Sequence, residues 1–250
     1  MDLDGALGLG EAELVAFVGA GGKKTAMSAL VEAAGGRGLD AGYTTTTHTP
    51  PPPELPLVLA GETDLLAALA GVDPPVAFAA ERVTDPDRAD RKVSGHGPDA
   101  VSAAFADGPF DWVLVKADGA RRREFKAPGP GEPIVPAAAT RVVPVASVRA
   151  VGEPLAAPTV HRPERVAAIA GIDAGETITP ETVGAVLGSP DGGLKRVPDG
   201  AAVTPVVNKA DTPTLRDRAR VAVREALARS DRLSRGAVTS FETGYCEIIG

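Results

Sequence analysis

Short apolar runs and helical stretches alternate along almost the whole of this chain. Unbroken apolar runs closed by glycine, proline or charge mark strands buried on both faces. Residues 13–18, 111–115 and 203–207 are such runs, and the stretch 141–148 has the same β-type composition. Residues 43–47 are rich in β-branched side chains, and the proline run at 50–53 stops them as a rigid connector. Shorter strands are expected at 55–60 and 76–80, around a helix at 62–70. Apolar spacing predicts further helices at 24–34, ended by Gly35-Gly36, at 162–170, and at 180–187 with Thr179 as cap. A long amphipathic helix rich in arginine is expected at 214–229. The charged stretch 81–97 predicts an exposed loop or hairpin turning at Asp85-Pro86, and 127–136 forms a Pro/Gly-rich loop. Strands alternating with helices predict an α/β fold, a mainly parallel sheet with helices on both faces in one domain over residues 1–250.

Candidate chemistry gathers where the expected strands end, which is where open α/β sheets bind ligands. The first such segment is Gly19-Ala20-Gly21-Gly22-Lys23-Lys24-Thr25, which follows a strand and opens a helix. That is the order of a phosphate-binding loop: glycines let backbone N–H groups curl around phosphate, a lysine adds charge, and a hydroxyl holds Mg²⁺. The spacing departs from G-x-x-x-x-G-K-[ST] in either register. If Lys24-Thr25 is the Lys-Thr pair, Lys23 replaces the last glycine; if Lys23 is the phosphate lysine, Lys24 takes the hydroxyl position. A glycine-rich turn of some other α/β fold is the plainer alternative. We expect Lys24 to contact phosphate and Lys23 to bend the loop from outside.

Three further segments fall at strand ends. Asp118, after the run at 111–115, stands where a carboxylate would serve Mg²⁺ together with Thr25, although Asp-Gly pairs also make simple turns. Arg121 and Lys126 follow it and are expected to neutralise transferring charge; the rest of that basic run reads as solvated surface. Thr47 and His48 close the threonine-rich strand and are placed toward the site, with half-buried sheet positions as the alternative for the earlier threonines. Asn208-Lys209-Ala210-Asp211 has the form N-K-x-D, in which a carboxylate reads guanine N–H groups; the same carboxylate also suits a helix start near Thr212-Pro213.

Composition narrows these readings. Hydrophobic residues make up 44% of the 250 residues and aromatics only 4%, so the core must be built from Ala, Val and Leu. A net charge of −7 argues against nucleic-acid binding through phosphate neutralisation. Cys246 is the single cysteine, which excludes an internal disulfide and fits a reducing cytoplasm. No basic leader and no apolar run long enough for a membrane span is seen, so a cytoplasmic protein without membrane contact is expected.

Taken in order, Gly19–Thr25, Thr44–His48, Ala117-Asp118-Gly119-Ala120-Arg121, Lys126-Ala127-Pro128, Glu132-Pro133-Ile134-Val135-Pro136, His161-Arg162-Pro163-Glu164 and Asn208–Asp211 resemble the YqeC family of selenium-dependent molybdenum hydroxylase accessory proteins. The likeness spans roughly residues 15 to 211. It implies a P-loop NTPase-like fold; with the glycine loop, Asp118 and the N-K-x-D segment, the expected ligand is a nucleoside triphosphate, GTP favoured and ATP possible, with Mg²⁺. It also implies a role in maturing such a hydroxylase or its cofactor, with that hydroxylase or its cofactor machinery as partner. A non-hydrolysing, nucleotide-gated cofactor carrier and a small-metabolite kinase are the alternatives. This chain departs from the family pattern in its extra lysine before Thr25, in Lys116 where an acidic residue is usual, and in Pro130-Gly131 where a histidine is common.

Overall fold

The computed structural model of the chain describes residues 1–83 and 92–250. The expected turn at Asp85-Pro86 lies outside the described residues. Strand β1 (Glu13–Gly19) runs through the middle of the main sheet, buried almost throughout. It pairs in parallel with β5 (Trp112–Lys116) on one side and β6 (Arg141–Ser147) on the other. Beyond β5 lie β2 (Ala41–Thr45), β4 (Val76–Ala79) and the edge strand β3 (Leu57–Leu59), all parallel. Beyond β6 lie β8 (Val206–Asn208) and β9 (Gly236–Ser240), while β7 (Ala202–Val203) adds a short parallel ladder to β6. Strand β10 (Tyr245–Ile249) returns antiparallel along β9 and closes that edge. The order is therefore β10-β9-β8-β6-β1-β5-β2-β4-β3.

Side-chain alternation along the central strands divides the core into two faces. Val15, Phe17, Leu114, Val143 and Val145 pack against α1 (Leu3–Leu7) and α2 (Lys23–Gly36). Leu14, Ala16, Val18, Val113 and Val142 pack against α3 (Leu65–Leu69) and α4 (Pro98–Asp107). Farther along that second face, Ala146, Val207 and Val238 meet α5 (Pro163–Ala170), α6 (Pro180–Leu187) and α7 (Pro213–Arg229). Helices thus cover both faces of a mainly parallel sheet, as the alternation predicts.

The structure differs from the sequence reading at particular places. Strand β2 stops at Thr45, and the chain bends before His48–Thr49 pairs antiparallel with Val93–Ser94. Val93–Ser94 also pairs antiparallel with Glu81–Arg82, a small separate sheet. Gly35 and Gly36 are the last turn of α2 rather than its stop, and the Arg37 N–H caps the Ala33 and Ala34 carbonyls. The run at 203–207 divides into β7 and β8. Helices α1 and α4 and strands β9 and β10 were not anticipated. Thr179 does cap α6, in a capping box with Thr182.

Candidate functional site

Strand β1 ends in a glycine loop whose backbone only glycine tolerates. Gly19 and Gly22 have φ of +89° and +137°. A Cβ on Gly19 would lie 2.2 Å from the Val145 carbonyl oxygen, and one on Gly22 would lie 2.2 Å from Asn208 Nδ2. The loop is held from both neighbouring sides. Ala20 N–H donates to the Val145 carbonyl at 2.8 Å, and Gly19 N–H donates to Asp118 Oδ2 at 2.9 Å. Asn208 Nδ2 donates to the Gly21 carbonyl at 3.0 Å, and Thr239 Oγ1 donates to Asn208 Oδ1 at 3.1 Å. Gly22 is then the cap from which α2 starts, with Lys23 its first residue.

Asp118 is the centre of a buried charge cluster. Its carboxylate is 1% exposed and meets Lys23 Nζ at 2.7 Å and Lys126 Nζ at 2.9 Å. Burial would push this carboxyl up, yet Lys23 and then Lys126 hold it below the usual carboxylate range. Lys23 also donates to the Gly19 carbonyl, and its burial lowers its own pKa despite the Asp118 partner. Lys126 donates to the Gly119 carbonyl at 2.6 Å and to Glu132 Oε2 at 2.8 Å. Glu132 in turn receives Arg162 in a fork, Nη1 at 2.7 Å and Nη2 at 3.2 Å. Burial opposes the Glu132 charge, but the hydrogen bonds from Arg162 and Lys126 bring its pKa down to about 2.

A third lysine completes the cluster. Lys116, at the end of β5, donates to Thr47 Oγ1 at 3.0 Å and points to the His48 carbonyl at 3.5 Å. Burial, then repulsion from Lys23, bring its pKa down to about 7. Thr45 Oγ1 is spent on the Lys116 carbonyl at 2.8 Å, and Thr46 Oγ1 on that of Ile134. Positive charge is in excess: among the described residues, Lys23, Lys126 and Arg162, with Lys116 beside them, pair with Asp118 and Glu132 alone. A positive site at a helix start suits an anion.

The N-K-x-D segment lies across β6 from the glycine loop. Lys209, at φ +64°, reaches both Glu124 oxygens at 2.7 Å. Asp211 Oδ1 accepts from Ser240 Oγ at 2.6 Å, and Oδ2 accepts from Arg149 Nη2 at 2.6 Å. Those bonds outweigh burial and keep the Asp211 carboxyl below its ordinary value.

Not every expected residue joins the cluster. Lys23, expected outside the loop, turns inward; Lys24 is half-buried, its pKa lowered by burial, with Glu54 its favourable charged neighbour. Thr25 is exposed, roughly 200° around the helix from Lys23. The structure therefore does not bring it to Asp118. Arg121 and His48 are exposed at the rim. Sequence reasoning overlooked Glu124, Glu132, Arg149, Arg162, Thr239 and Ser240 as site residues. Only Glu132 and Arg162 carried any signal, as members of the Glu132–Pro136 and His161–Glu164 motifs.

A family model described as YqeC protein matches residues 15–164. The chain belongs to the YqeC family. It is 29% identical over 198 residues to a protein of Escherichia coli (strain K12) described as "Uncharacterized protein YqeC", covering 78% of this chain and 75% of that protein. No solved structure matches. The YqeC match contains the glycine loop, Asp118, Lys126, Glu132 and Arg162, whereas Asn208–Asp211 lies beyond it.

Proposed function

We propose that this YqeC-family chain binds a nucleoside triphosphate across the ends of β5, β1 and β8, GTP favoured and ATP possible, and promotes phosphoryl transfer to water or a small acceptor. The observation that carries this reading is the pairing of Lys23, first residue of α2, with buried Asp118, whose other oxygen holds the N–H of Gly19. The α2 start and Lys23 would receive the phosphates, so the phosphate lysine of this proposal is Lys23 rather than Lys24. Lys126, positioned by Glu132 and Arg162, would add charge as the transferred group loosens. Asp211, with Asn208 as the loop's tether, would face the base.

Mg²⁺ enters this reading with the nucleotide. Among the described residues, no group of three His, Cys, Asp or Glu side chains could hold a metal. Asp118 has ammonium groups on both oxygens, and Thr25 faces away. The described residues thus form no metal cradle of their own, and the charge stabilisation is assigned to Lys23 and Lys126. The resemblance to selenium-dependent molybdenum hydroxylase accessory proteins supplies the context: service to a hydroxylase or its cofactor in the cytoplasm.

The two ammoniums on Asp118 also favour a second reading, a nucleotide-gated binding module without turnover. Titration with GTP and ATP, with phosphate release followed in parallel, tests both. Binding lost in Lys23→Ala supports nucleotide recognition, and phosphate release lost in Asp118→Ala supports catalysis. Binding without release under any metal condition favours the module. Absence of binding to either nucleotide sinks both readings.

A further inference from the structure

The base-reading carboxylate is already engaged. Asp211 Oδ2 takes Arg149 Nη2 at 2.6 Å, and Oδ1 takes the Ser240 hydroxyl at 2.6 Å. These two partners differ in how firmly they are held. Ser240 is fully buried and its oxygen also accepts the Thr243 N–H at 3.1 Å, so it is part of the wall. Arg149 stands on a short turn, Val148–Ala150, directly after β6, with a side chain 50% exposed; its other acidic neighbour, Glu242 at 3.5 Å, is 73% exposed. A guanidinium offers N–H donors in a planar fork. Guanine offers the same pattern, a ring N–H beside an exocyclic amine, and needs carboxylate oxygens to accept both.

We propose that Arg149 is a built-in competitor for the base: its guanidinium occupies Asp211 in the place a guanine edge would take, and nucleotide binds fully only when Arg149 is displaced toward Glu242 and solvent. This rests on the reading of Asp211 as base reader. Displacement is feasible because Arg149 is exposed, and it is unfavourable because a direct ion pair is broken. An exposed pair of this kind sets the expected effect at about three- to fivefold in affinity.

The test is calorimetric titration of the full chain with GDP and with pyrophosphate, which reports the phosphate loop without a base. Arg149→Met should tighten GDP binding by about three- to fivefold and leave pyrophosphate within about twofold. Asp211→Asn should weaken GDP but not pyrophosphate, and should abolish the gain from Arg149→Met. Unchanged or weaker GDP binding by Arg149→Met, with Asp211→Asn still selectively harmful, overturns the competitor and leaves the base reading standing. Equal effects of Asp211→Asn on both probes, or no GDP binding by any of these proteins, overturn the base reading and the competitor with it.

Discussion

Lys23 Nζ lies 2.7 Å from Asp118 Oδ1, with the two side chains 5% and 1% exposed, while the next residue, Lys24, is only half-buried. Removing one partner of a buried pair costs about 3–5 kcal/mol when the other is stranded. Here Lys126 stays on Asp118, so Lys23→Met is expected near the lower end, about 3 kcal/mol by urea unfolding. It should also abolish nucleotide binding. Lys24→Met should change stability by no more than about 1 kcal/mol and leave binding measurable. The opposite ranking would return the phosphate contact to Lys24.

Asn208 ties the glycine loop to β8 and β9 through Gly21 and Thr239. Asn208→Ala strands a buried hydroxyl, at about 1–3 kcal/mol, and frees a part-buried carbonyl at smaller cost. Thermal unfolding should show that loss, and pyrophosphate as well as GDP should bind more weakly because the loop itself loosens. A loss confined to GDP would mean that Asn208 acts on the base alone.

Glu132 is held charged by Arg162 and Lys126, with a pKa of about 2 in place of 4.5. A carboxyl depressed on folding stabilises the fold above its unfolded pKa, and that contribution fades as pH falls from about 4.5 to about 2. Glu132→Gln should flatten acid unfolding over that interval and release Lys126. Acid unfolding curves of the two proteins that keep the same shape would show that Glu132 is not so coupled.

Lys116 has the opposite dependence. Its pKa of about 7 lies below the ordinary 10.5, so between these values the unfolded chain binds the extra proton. Stability should therefore rise as pH goes from about 7 to about 10.5. Lys116→Met should remove that rise and make the protein roughly 1–3 kcal/mol more stable at neutral pH. Chemical unfolding at pH 7 and pH 9.5 checks it; a Lys116→Met protein with the wild-type slope would exclude Lys116 as its source.

Metal titration separates a resident ion from one delivered by nucleotide. Mg²⁺ added alone should give no saturable heat, and Mg²⁺ added with GDP should. Tight binding of Mg²⁺ without nucleotide would show that carboxylates of the chain hold the ion without nucleotide.

Much was legible in the sequence because it is local. Apolar runs closed by glycine or charge marked the central strands, and alternation with helices predicted the parallel, three-layer arrangement. The Gly19–Gly22 cluster and Asp118 stood out because such residues at strand ends serve either tight turns or ligands. The C-terminal strands and α4 escaped, since short strands at a sheet edge and an alanine-rich helix carry weak periodicity.

Side-chain direction, by contrast, was a matter for tertiary structure. Lys23 and Lys24 are chemically equal neighbours, and only the start of α2 at Gly22 turns Lys23 toward Asp118 and carries Thr25 around to solvent. Glu132 and Arg162 meet through loops 30 residues apart, and Arg149 reaches Asp211 across 62, distances over which no local pattern acts. Sequence alone determined that strands end in glycine, lysine, aspartate and asparagine. The order of those strands in the sheet, set by burial of both faces, decided which of these groups meet.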